Sequence, residues 1–184
     1  MTTADQVIYI GIDPGMEGAI CIRTEDRIEL YDIPTRKING KSDIDFAAFA
    51  AILKPYRTAY KTAKVYVCCE KSMGMAFGKT KFREQHHDDS STAWKKGYCY
   101  GVIRTMFHAY NLPFTATPQP SVWKRDLKLS DSSLTYPEKK EKSRLEAIRL
   151  FPELLSQLKR KKDADRAEAL LLSLWIERKR HYYG

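Results

Sequence analysis

A chain of 184 residues fits one domain, and a 43% share of hydrophobic residues excludes general disorder. Lys and Arg number 32 against 23 Asp and Glu, leaving a net charge of +9 and a pI near 9.3. That surplus points to a polyanionic partner, since cationic side chains release counterions condensed on phosphates, although basic charge also serves plain solubility. No apolar run approaches the roughly 20 residues of a membrane span. The opening MTTADQVIYI lacks the basic and apolar regions of a signal peptide, so a cytosolic location is expected.

In chain order, residues 7–13 (VIYIGID) read as a strand, with Gly15 and Gly18 marking the turn after it. Residues 19–23 and 27–33 alternate as two further strands, giving three antiparallel strands at the start. Residues 43–63 read as a helix, with Ser42 as its cap and Pro55 as a kink or break. Residues 64–70 (KVYVCCE) are apolar enough for a central strand. The polar stretch 71–91 reads as a loop, 92–110 as a helix, and 114–117 as a short strand closed by Pro118 and Pro120. Helices follow at 121–127, at 138–151, in a short piece after Pro152, and at 165–180. In the last, Ala167, Leu170, Leu171, Leu174 and Trp175 form an apolar face. Strands first and then strands interleaved with helices predict an α/β sheet of mixed direction.

The four cysteines, Cys21, Cys68, Cys69 and Cys99, form no CxxC pair, and Cys68 and Cys69 should point to opposite faces of their strand. They read as reduced thiols.

Acidic residues fall where chemistry is easily assembled. Asp13 ends the first strand, Glu70 ends the central one, and Asp163, Asp165 and Glu168 flank or open the last helix, with Asp165 and Glu168 three apart on one face. Such carboxylates can converge on Mg²⁺, which prefers oxygen ligands, and two ions can drive phosphodiester hydrolysis. Each has an ordinary reading as well: an Asp after a strand forms turns, and Asp165 suits a helix start.

The segments around these acids resemble a known family. IYIGIDPGMEGAI is similar to the first motif of the RuvC Holliday-junction resolvases within the ribonuclease H-like superfamily, VYVCCEKSM to the second, and DADRAEALLLSLW to the last. ATPQPSVWK and KKEKSRLEAIRLF resemble the segments between, and the order and spacing agree over nearly the whole chain, closest to phage-type members. The resemblance implies a single nuclease domain over residues 1–184, with the mixed sheet packed by helices on both faces. It implies a magnesium-dependent endonuclease that resolves four-way DNA junctions by paired nicks, acting as a homodimer. Two Mg²⁺ ions, or Mn²⁺ in their place, would be held by Asp13, Glu70, Asp165 and Glu168. The family usually has Asp where this chain has Glu168, and Asp163 competes for the fourth place. Lys124 and Lys142 occupy positions similar to family lysines near the scissile phosphate, where a cation would neutralise developing charge.

In the family an aromatic residue often follows the second motif and wedges the junction open. The corresponding position here is Met73, with Met75 and Phe77 nearby. Lys79, Lys81 and Arg83 would then contact phosphates. In the 92–110 helix, Lys95, Lys96 and Arg104 are candidate DNA contacts. Gly97 and Gly101 leave one side bare, either for DNA or a second subunit or for close packing on the sheet. His86, His87, Asp88 and Asp89 make a weak zinc candidate with no second ligand pair. Two other readings stay open: a more permissive branched-DNA nuclease, and a basic DNA-binding protein whose acids are only structural.

Overall fold

The first strand, QVIYIGID, carries no polar alternation because both of its faces are covered. The computed structural model describes residues 6–71 and 90–183. In it, β1 (Gln6–Asp13) lies between β2 (Ala19–Arg23), which pairs antiparallel, and β6 (Ala63–Cys69), which pairs parallel. Outside β2 runs β3 (Ile28–Asp32), again antiparallel, so the sheet order is β3-β2-β1-β6. The expected strand at 114–117 narrows to a single parallel bridge, Cys68 to Ala116, beside β6. The mixed α/β sheet is therefore present.

Alternation along the strands divides two apolar layers. Ile8, Ile10, Ile12, Ile20, Ile22, Val67 and Cys69 face one side, against Phe49 and Leu53 of α1 (Phe46–Leu53) and Cys99, Ile103 and Phe107 of α2 (Ser90–Ala109). Tyr9, Cys21, Tyr66 and Cys68 face the other. There they meet Trp123 of α3 (Pro120–Asp126), Ala147 of α4 (Tyr136–Leu150) and the length of α5 (Ala164–Lys179). Helices thus cover both faces. Cys68 and Cys69 lie in opposite layers, and all four cysteines are buried free thiols.

Two expectations are corrected. Residues 43–63 are not one helix, and Ser42 is not its cap. Ser42 belongs to β5 (Lys41–Ile44), paired with β4 (Thr35–Ile38) in a hairpin turned by Asn39 and Gly40, both at positive φ (50° and 77°). An Asn-Gly pair accepts the left-handed conformations that a two-residue hairpin turn needs. The cap is Asp45, whose carboxylate accepts from the Ala47 and Ala48 amides at 3.1 and 3.0 Å. Pro55 cannot donate back into the helix, so the chain tightens to 3₁₀ turns at Lys54–Tyr56 and Ala59–Lys61. The apolar face expected on the last helix packs in the second layer, and burial extends beyond it to Ala169, Leu172 and Ile176 because the helix is held between the sheet and α4.

The fit of α5 on β1 has one cause. A Cβ at Gly11 would stand 2.0 Å from the Ala169 carbonyl oxygen and 2.4 Å from the Ser173 nitrogen. Helix backbone therefore rests directly on strand backbone. No helix among the described residues is long and apolar enough to cross a membrane.

Candidate active site

The parallel pairing of β1 and β6 sets two carboxylates side by side. Ile12 is opposite Cys69, and the Glu70 amide donates to the Ile12 carbonyl at 3.0 Å, so Asp13 and Glu70 leave the sheet together at one edge. The first turns of α5 bring Asp165 and Glu168 over that edge. Asp13 is 7% exposed and Glu168 only 1%.

The cation among them is Lys140. Its Nζ donates to Asp13 Oδ2 at 2.9 Å, Asp165 Oδ1 at 2.7 Å and Glu168 Oε2 at 2.6 Å. The other oxygen of Glu168 accepts from Lys124 Nζ at 2.6 Å and from Ser143 Oγ at 2.9 Å. Glu70 Oε2 accepts from the Trp123 indole at 2.7 Å. Four carboxylates thus face two ammonium groups, a formal shortfall of two positive charges in a poorly hydrated place.

The ionisation of the cluster follows from that shortfall. Burial pushes the Asp13 carboxyl well above the usual range; Lys140 opposes this, while Glu168, Glu70 and Asp165 add to it. Glu70 is raised by burial and then by Glu168. At Glu168 burial again acts upward, but Lys140 and then Lys124 outweigh it and hold the carboxyl below its ordinary value. Burial works against the Lys140 ammonium, yet Asp13, Glu168 and Asp165 raise its pKa.

The structure brings together Asp13, Glu70, Asp165, Glu168 and Lys124. It does not bring Lys142, which pairs with Asp131 at 3.6 Å away from the acids. The correction has a simple cause: two residues along a helix turn the side chain by about 200°. The buried face of α4 carries Ser143, Arg144 and Ala147, and stepping back from Ala147 at helical spacing reaches Lys140. That spacing was the available signal. Ser143 and Trp123 were also missed as partners of the acids, since neither residue type announces such a role.

Asp163 also stays apart. It receives the Arg160 amide at 2.8 Å and the Arg160 guanidinium at 2.7 Å, and that hydrogen bonding keeps its carboxyl below the usual range. Lys95, Lys96 and Arg104 lie on exposed positions of α2. Gly97 and Gly101 are exposed, and among the described residues a Cβ at either would meet nothing within 4 Å, so they do not press on the sheet. Met73, Met75, Phe77, Lys79, Lys81, Arg83 and the 86–89 zinc candidate lie outside the described residues.

As the side chains stand, no three acidic, histidine or cysteine groups among the described residues form a ready metal cage. The Lys140 ammonium occupies the space between the carboxylates. The donor set itself, carboxylate oxygens already gathered round a cation, suits a hard divalent ion.

An α/β sheet with an acidic cluster at the ends of two parallel strands and on the helix over them is the class that fold and site define. No family model and no curated protein matches the chain. Among solved structures it is similar to RuvC of T. thermophilus in complex with a Holliday junction substrate, at 15% identity over 96% of each chain and a TM-score of 0.39. A likeness that loose bears no functional weight, which rests instead on the side chains of the site.

Proposed function

We propose that this protein is a divalent-metal-dependent endodeoxyribonuclease of ribonuclease H-like, RuvC-like fold that cuts branched DNA, with the four-way junction as its substrate. One observation carries the reading: four carboxylates from two strand ends and one helix are gathered at one sheet edge, three of them, Asp13, Asp165 and Glu168, on a single ammonium group and the fourth, Glu70, on the Trp123 indole, with Asp13 and Glu168 buried. Asp13, Glu70, Asp165 and Glu168 would hold Mg²⁺, or Mn²⁺, which when bound activates water and stabilises the leaving oxygen in phosphodiester hydrolysis.

The remaining roles belong to the chain. Trp123 fixes the rotamer of Glu70, and Ser143 with Lys124 fixes that of Glu168, so the ligands are oriented before any ion arrives. Lys124, packed over the Trp123 ring at 5.1 Å, supplies a rooted positive charge beside the phosphate position. The exposed glycines of α2 leave a bare helical side that suits a second copy, and a two-fold dimer would present two sites to a two-fold substrate.

The test is cleavage of a labelled four-way junction, a flap and a linear duplex, with Mg²⁺ or with chelator. Paired symmetric nicks in the junction are expected, lost in chelator and in Asp13→Asn while junction binding persists. Cutting of all three substrates alike would favour the permissive branch nuclease. Binding without any cleavage would leave a basic DNA-binding protein.

A further inference from the structure

Lys140 sits where an ion would have to sit. An ammonium has three N–H donors, and all three are committed, one each to Asp13, Asp165 and Glu168. An ion bound to those oxygens at about 2.1 Å would lie within a few ångströms of Nζ, and two cations so placed repel strongly. The two cannot share the cluster.

The surroundings let one of them leave. Lys140 reaches the acids on a flexible four-carbon stem from the first half of α4, and its side chain borders an open groove of about 930 Å³ lined also by Tyr136, Pro137, Lys161 and Asp165. Lys124 differs: it holds a single carboxylate and is packed on Trp123. The contacts that orient Glu70 and Glu168, from Trp123, Ser143 and Lys124, do not pass through Lys140 and survive its departure.

We infer that Lys140 is a built-in cation that holds the carboxylates together in the metal-free protein and is displaced when a divalent ion enters. This rests on the reading of the four acids as metal ligands. Displacement makes Lys140 a competitor for the ion, and it frees an ammonium group beside the cluster once the ion is bound.

The experiment compares wild type with Lys140→Met by calorimetric titration with Mn²⁺ and by thermal unfolding with and without the metal. In Lys140→Met the metal-free protein should melt lower, Mn²⁺ should bind on the order of tenfold tighter or more, and added Mn²⁺ should raise the melting temperature by more than in wild type. Equal or weaker Mn²⁺ affinity in the variant overturns the displacement and leaves the nuclease reading standing. Failure of both proteins to bind Mn²⁺ overturns both. Should Lys140→Met not fold, nitrogen NMR of the wild-type lysine ammonium groups decides. The Lys140 signal, protected by its three ion pairs, should be lost as Mg²⁺ saturates the protein, and its persistence through saturation overturns the inference.

Discussion

Glu168 has both carboxylate oxygens engaged, with Lys124 and Ser143 on one and Lys140 on the other. A glutamate here, where the family resembled usually has aspartate, reaches one methylene further, which suits a carboxylate shared between lysines on two different helices. Glu168→Gln keeps the shape and removes the charge, so Lys124 loses its carboxylate partner while Lys140 keeps Asp13 and Asp165. Because the cluster carries more carboxylates than ammonium groups, the change should cost only about 1 kcal/mol of stability yet lower single-turnover junction cleavage by orders of magnitude. Asp163→Asn removes an ion pair outside the cluster, so it should cost about 1–2 kcal/mol of stability and leave cleavage within a few-fold of wild type. Chemical denaturation and cleavage, measured on both variants, separate the two effects. The acids were legible in the sequence because strand ends and a helix start are places where carboxylates converge. Lys140 was not, because in the run Lys139-Lys140-Glu141-Lys142 only the rotational register of α4 says which lysine faces inward.

At the scale of elements, β1, β2, β3 and β6 were readable from apolar runs and their punctuation, and α2 to α5 from periodicity. The β4–β5 hairpin was not read. Its Asn39-Gly40 dipeptide is a strong turn signal, but the apolar residues after it suggested a helix that would absorb Asp43 and Ile44. The join between α3 and α5 is polar and testable. Asp126 accepts from the Trp175 indole at 3.0 Å and pairs with Lys179 at 3.0 Å, and hydrogen bonds from these two groups hold its carboxyl below the usual range. A carboxyl lowered in the folded state stabilises the fold above its unfolded value, near 4, and that contribution disappears as pH falls through the lowered value. Asp126→Asn should therefore be less stable than wild type by about 1 kcal/mol at neutral pH. The gap should close in acid, which thermal melts at several pH values would show.

For the whole molecule, the surplus of nine positive charges predicts a steep fall of DNA affinity with salt. Binding titrations at low and physiological salt test this, and a flat dependence would mean that the charge is spread for solubility and not focused on a groove. The direction of the charge was legible from composition. Its placement against the acidic cluster was not, since net charge carries no spatial information.

The bare contact at Gly11 separates two properties that usually fail together. The α5 backbone rests on the β1 backbone at Gly11 with no side chain between, so the span from Asp13 to Glu168 should respond more to a change at that contact than to modest trimming of the apolar layers. Trimming a core side chain, as in Ile10→Val, should cost about 1 kcal/mol while single-turnover cleavage at low temperature stays near wild type. Gly11→Ala forces the helix off the strand and should abolish cleavage even where circular dichroism shows the protein still folded. Sequence drift in this fold would then be generous in the hydrophobic layers and unforgiving at a single position that carries no functional group at all.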